Sequence, residues 1–195
     1  MANVAVIYYS ATGTVHKIAE QLAKGAEEAG ADVRLLRVPE LAPAEAIAAN
    51  EGWQQHVDEV NPTVREATLD DLDWADGIAF GSPTRFGLPT AQLKQFIDTA
   101  GPLWGAGKLV GKVGTSFTSA ATAHGGLEST ALAINNTFYH WGAIILGPGY
   151  STPELYAAGT PYGITQHTGD LTDVTTAAAL AQGKRLAEYS EKLKV

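Results

Sequence analysis

A chain of 195 residues, 45% of them hydrophobic, is long enough for one domain with a full core. Lys plus Arg number 13 against 21 Asp plus Glu, and a net charge of -8 excludes the basic footprint of a nucleic-acid or anionic-membrane binder. Cysteine is absent, so disulfides, thiolate nucleophiles, Cys-bound zinc and iron-sulfur clusters drop out, and any redox chemistry needs a borrowed cofactor.

Residues 3–9 (NVAVIYY) form a nearly continuous β-branched and aromatic run, the pattern of a strand buried on both faces. Apolar residues then recur as Val15, Ile18, Ala19, Leu22, Ala23 and Ala26, a helical stripe that stops at Gly30. Residues 32–38 predict a second strand ending at Pro39, and 76–82 (DGIAFGS) a third; Leu93, Phe96, Ile97 and Ala100 mark a helix. Residues 112–118 (KVGTSFT) read as a fourth strand, with a helix behind it on Leu127, Ala131, Ile134 and Phe138. A fifth strand is expected at 142–146 and a last helix from about 172 to 192.

Strands alternating with helices require parallel pairing with crossover helices. The expected fold is a single α/β domain over residues 1–195, a doubly wound five-stranded parallel sheet with helices on both faces. Segments 39–75 and 147–170 are too long for ordinary connections and are expected as insertions, lids or subunit contacts. No basic segment followed by an apolar one opens the chain, and no stretch approaches the ~18 consecutive apolar residues of a membrane span. A cytoplasmic protein is expected.

Ligands of such sheets bind at the C-terminal ends of the strands, which singles out loops 10–15, 82–89 and 118–126. In the first, Ser10, Ala11, Thr12, Gly13, Thr14 and Val15 lie between a buried strand and a helix start. Unpaired backbone N–H groups and a partial charge of roughly +0.5 favour an anion there. One Ser or Thr would serve as a helix cap; hydroxyls at 10, 12 and 14 exceed that need and read as a phosphate cradle. Neither G-x-G-x-x-G nor G-x-x-x-x-G-K-[ST] occurs, so a mononucleotide fits better than a dinucleotide or a P-loop ligand. The second loop, with Pro83, Thr84, Arg85, Phe86 and Gly87, offers a rigid turn, a cation and an aromatic ring. The third, with Ser119, Ala120, Ala121 and Thr122 running on to His124 and Gly126, is small enough for close backbone approach.

These blocks, YYSATGT, GSPTRFG, GPLWGAG (101–107), GKVGTSFTS, HWG (140–142) and GTPYG (159–163), resemble in order and spacing the WrbA-type flavodoxin-like NAD(P)H:quinone oxidoreductases over nearly the whole chain. The resemblance implies a flavodoxin-like fold, bound FMN, NADH or NADPH as co-substrate, and ping-pong two-electron transfer to a quinone. Carried over by position, Ser10 to Val15 hold the FMN phosphate, Pro83 to Gly87 flank the flavin ring, and Ser119 to about His124 meet its polar edge and ribityl side. His140 corresponds to a flavin-site histidine, and Trp104 to an aromatic wall where quinone or nicotinamide stacks. Thr12 stands where familiar members carry an aromatic that touches the nicotinamide. No covalent catalytic residue is implied; Arg85 and His140 are candidate proton donors. The family's homotetramer, a dimer of dimers with flavin sites completed by neighbouring subunits, would account for the two long segments. The alternative is an electron-transfer flavodoxin that docks with protein partners; the acidic balance fits it, whereas Trp104 and the P-T-R-F-G block favour a substrate pocket.

Overall fold

The computed structural model describes residues 1–194. Strands β1 (Asn3–Tyr8), β2 (Asp32–Arg37), β3 (Gly77–Pro83), β4 (Val113–Ala120), β5 (Ile144–Ile145) and β6 (Ile164–His167) make one parallel sheet. Its order is β2-β1-β3-β4-β5, with β6 also on β4. The helices are α1 (Thr14–Glu28), α2 (Ala44–Ala48), α3 (Glu51–Glu59), α4 (Leu69–Trp74), α5 (Ala91–Asp98), α6 (Gly101–Gly105), α7 (Leu127–Trp141), α8 (Pro153–Ala158) and α9 (Asp173–Leu193).

The apolar runs explain the layering. Val4, Val6 and Tyr8 of β1 pack with Ile18 and Leu22 of α1 and Ala178 and Leu186 of α9. Ala5 and Ile7 point the other way, into a second cluster with Leu72 of α4, Leu93 and Phe96 of α5, and Ile134 and Phe138 of α7. A strand covered on both faces has no reason to alternate polar with apolar, which is why β1 reads as a continuous run. Helices α1 and α9 cross closely: a Cβ on Gly183 would lie 2.1 Å from the Leu22 carbonyl oxygen, and one on Gly25 2.1 Å from that of Leu180.

The expected topology holds, with two refinements. β5 pairs with Val113 and Gly114 at the start of β4, and β6 pairs with Phe117 to Ala120 at its end. Both use the same edge, since β3 occupies the other along its length. The fifth strand position is therefore interrupted by an excursion and resumed. Segment 147–170, expected as an insertion or lid, carries β6 back into the sheet; its four residues, Ile-Thr-Gln-His, are too short and too polar to register as a strand. Segment 39–75 stays outside the main sheet as α2, α3, a 3-10 turn at Asn61–Thr63 and α4, pairing with the backbone of β2 at a bridge between Arg37 and Glu66 and packing Ala67 and Leu72 beneath the sheet.

Because β1 has β2 on one side and β3 on the other, the crossovers after β1 and β3 diverge. Their loops open a crevice at the C-terminal edge of the strands.

Candidate functional site

A cleft of about 250 Å3 occupies that crevice. Ser10, Ala11, Thr12, Thr14 and Val15 form its floor, Pro83 and Arg85 one side, and Ser119 and Thr168 the other. Asn50 and Trp53 of α3 close the remaining wall.

The floor presents a helix start whose first N–H groups are open. Gly13 has φ 96°, a left-handed conformation that costs glycine nothing, and its N–H donates to the Ser10 Oγ at 3.1 Å. That bend starts α1 with no side-chain cap and no acidic residue in its first turn. The first intrahelical bond comes from Lys17 N to Gly13 O, leaving the N–H groups of the preceding turn without helical acceptors. Of the hydroxyls, Thr12 is exposed and faces the cleft. Thr14 is already engaged: its Oγ1 donates to Gly169 O at 3.1 Å and accepts from Gly169 N at 2.8 Å. Its side chain ties the loop after β6 to the floor of the cleft, leaving its backbone N–H as its free donor there.

Beneath the loop sits a histidine pair. The Tyr8 hydroxyl lies 2.5 Å from His16 Nδ1, and the His16 Nε2 lies 3.4 Å from Glu20. Burial pushes the Tyr8 phenol well above its ordinary value, so it acts as the donor. The His16 and His56 rings stand 5.7 Å apart. Burial, then His16 and Arg37, push His56 down to about 4, and burial likewise lowers His16. Both rings are neutral at pH 7.

The second loop makes a tight turn in which Arg85 and Leu88 exchange N–H to O bonds of 2.8 and 3.1 Å. Phe86 at its tip has φ 55° and is fully exposed. Thr84 Oγ1 accepts from Gly87 N at 3.1 Å and from the Thr130 hydroxyl at 2.8 Å, which fixes the turn to α7. The third loop meets it there: a Cβ on Gly126, itself at φ 97°, would fall 2.8 Å from the Gly87 Cα. Glycine is required at 126 both for the close approach and for the backbone angle. Ser119 and Ala120 end β4 buried, whereas Ala121 and Thr122 are exposed beyond it. Arg85 carries the one charged side chain of the cleft lining among the described residues.

Trp104 and His140 lie elsewhere in the chain. The Trp104 Nε1 donates to His140 O at 3.0 Å, and both line a groove of about 400 Å3 with Lys94, Asn136 and Trp141. That groove is at the far end of α7, roughly 20 Å along the helix from the loop glycines. Ile144, just beyond it, pairs with Val113 at the start of β4, the opposite edge of the sheet from the cleft. A single chain thus brings the loop at 10–15 together with Pro83, Arg85 and Ser119, and leaves Trp104 and His140 together but apart from them.

Asn50, Trp53 and Thr168 were not among the residues that the sequence pattern singled out. Thr168 follows a strand that the pattern hides. Asn50 and Trp53 carried a usable signal: Asn50 is the cap of α3, accepting from Trp53 N at 3.1 Å, and Asn50, Trp53 and His56 recur every third residue along the face toward the phosphate loop.

The family model for NADPH-dependent FMN reductase matches residues 2–155. A protein of Deinococcus radiodurans named NAD(P)H dehydrogenase (quinone) is 40% identical over 98% of this chain and 96% of its own length. One of Archaeoglobus fulgidus with the same name is 43% identical over 99% and 100%. Among solved structures, the flavodoxin WrbA-like protein from Agrobacterium tumefaciens superposes with a TM-score of 0.70 at 25% identity, all of both chains being covered. A flavodoxin from the domain Archaea shares the fold, at 19% identity, 97% and 99% coverage and a TM-score of 0.64.

Proposed function

The chain belongs to the NADPH-dependent FMN reductase family, in its WrbA-type branch, and from that premise we propose how it works: it is an FMN-dependent oxidoreductase that reduces quinones with NAD(P)H. The observation that carries this is the uncapped, acid-free start of α1 behind left-handed Gly13, opening into the cleft that Pro83, Arg85 and Ser119 share. The donor set fits FMN: backbone N–H groups and the Ser10 and Thr12 hydroxyls for the phosphate, and a polar strand end at Ser119 for the ring edge. When bound, FMN supplies the redox chemistry, accepting hydride from the nicotinamide and delivering two electrons to the quinone.

The protein's part is binding, orientation and charge. Ser10 holds Gly13 in place, and Thr14 with Gly169 closes the cradle from the β6 side. Arg85 puts a guanidinium, a donor with no acceptor, into the cleft lining, where its role is to stabilise negative charge rather than to deliver a proton. NAD(P)H and quinone use one open face in turn, which makes the kinetics ping-pong.

We further propose a homotetramer working in the cytoplasm, where the NAD(P)H pool lies. Trp104, Tyr139, Ile144, Tyr150 and Tyr156 are exposed large side chains outside the cleft lining, available to a subunit contact. In an assembly, His140 and Trp104 reach a cleft from another copy, and His140 is then the candidate proton source for the quinol.

The test is anaerobic: reconstitute the protein with FMN, add NADH or NADPH, and follow flavin absorbance before and after benzoquinone. Rapid bleaching that reverses at once with quinone is expected. FMN that binds but is reduced by neither nucleotide would overturn the oxidoreductase in favour of a carrier.

A further inference from the structure

Trp53 is the one aromatic side chain lining the cleft among the described residues; Phe86, the ring that the second loop advertises, is fully exposed at the tip of its turn. The indole belongs to the first turn of α3, which sits directly on the phosphate loop: a Cβ on Gly52 would lie 3.9 Å from the Thr12 Cγ2. One part of the ring packs on the core cluster beneath β1, and the remainder stays open.

Its orientation is fixed by Glu40. Trp53 Nε1 donates to Glu40 Oε2 at 3.0 Å, and the same oxygen accepts from the Tyr9 hydroxyl at 2.7 Å. The other oxygen accepts from Gln92 Nε2 at 2.7 Å and from the backbone N–H groups of Leu41 and Ala42 at 2.8 and 2.9 Å. One carboxylate thus joins the end of β1, α3 and α5. Desolvating a carboxylate is costly, and these bonds offset it. What they secure is an indole locked at one angle beside a cleft whose floor is hydroxyl and backbone.

We propose that Trp53 is a contact residue for the flavin ring system and Glu40 its positioning residue. This rests on the FMN assignment above. An aromatic plane held rigidly loses little freedom when a conjugated ring settles against it, so most of the stacking energy appears as affinity. Segment 39–75 is then part of the cofactor site, supplying the apolar surface that the three strand-end loops lack.

The experiment is a fluorescence titration of the flavin-free full chain with FMN and, separately, with riboflavin, which has the ring but no phosphate. Trp53→Leu is expected to weaken both by the same factor, about tenfold. Trp53→Phe should recover most of the loss, and Glu40→Gln should fall between, because an amide cannot accept all the bonds that the carboxylate does. Unchanged thermal melting of the flavin-free variants separates these losses from unfolding. Wild-type affinity in Trp53→Leu, or a loss confined to FMN, would overturn the ring contact while leaving the FMN assignment intact. Failure of the wild-type chain to bind either flavin would overturn the FMN assignment and this contact with it.

Discussion

The two long segments, 39–75 and 147–170, look alike in sequence and are held in different ways. The second is woven into the sheet by backbone pairing: β6 extends along β4, and Asn135 Nδ2 and the Ser116 hydroxyl both donate to Tyr162 O as the chain re-enters. The first is held mainly by side chains. Glu40 anchors its start, Arg37 reaches the carbonyls of Asn61 and Val64, and Asp71 closes its end. Both deliver residues to one cleft, Trp53 from the first and Thr168 from the second. The lesson is that a site can be walled by a segment held by side chains, charged at its two ends and apolar at Leu72 and Trp53, rather than by sheet pairing.

Breaking that difference has its largest expected effect at Asp71. Its side chain is 2% exposed, accepts from Arg34 and Arg65 at 2.9 and 2.7 Å, and forms a capping box with Thr68. Burial alone would raise its pKa, yet these bonds hold it well below the carboxylate range. Asp71→Ala removes the anion that two arginines address and is expected to cost about 3 kcal/mol by thermal unfolding. Hydrogen exchange should rise first in 39–75, with β6 still protected. Uniform loosening of both segments would contradict the side-chain anchoring.

Next comes Gly163→Ala, on the other side of the comparison. A Cβ there would lie 2.6 Å from Ser116 O and 3.2 Å from the Ala131 Cβ, so β6 must shift to admit it. A loss of about 1–3 kcal/mol is expected, with exchange rising in β6 and not in α3. An unchanged melting temperature would show that the return strand has slack.

The smallest effect is a pH slope. The folded value of His56, about 4, lies below the ordinary 6.5, so its stabilising contribution is complete above pH 6.5 and is lost as pH falls toward 4. His16 and Arg37 add to its repulsion of charge, whereas at His16 Glu20 opposes the effect of burial. His56→Leu should flatten the fall in melting temperature across that window. An unaltered slope would mean that His56 titrates as if exposed.

How much of this was legible beforehand follows from what sequence periodicity records. β1, β3 and β4 are buried on both faces and stood out, as did the stripes of α1 and α7. The loop at 10–15, proposed above as the phosphate cradle, stood out because its hydroxyls and glycine are contiguous, and the structure places it on the cleft floor. β6 was hidden because backbone pairing demands no apolar residue at Thr165 or His167. Trp53 carried only the helical spacing it shares with Asn50 and His56, because the Glu40 that fixes it lies thirteen residues away and outside any motif. Trp104 and His140 were each named by resemblance alone, and their 3.0 Å bond places them in one groove that the cleft of the same chain does not reach.

The most direct test is the structure of this protein with FMN bound. The expected result is the phosphate on the first turn of α1 between Ser10 and Val15, with the flavin ring between Trp53 and the Pro83–Arg85 side. FMN phosphate in any other place, such as the Trp104–His140 groove, would contradict the account.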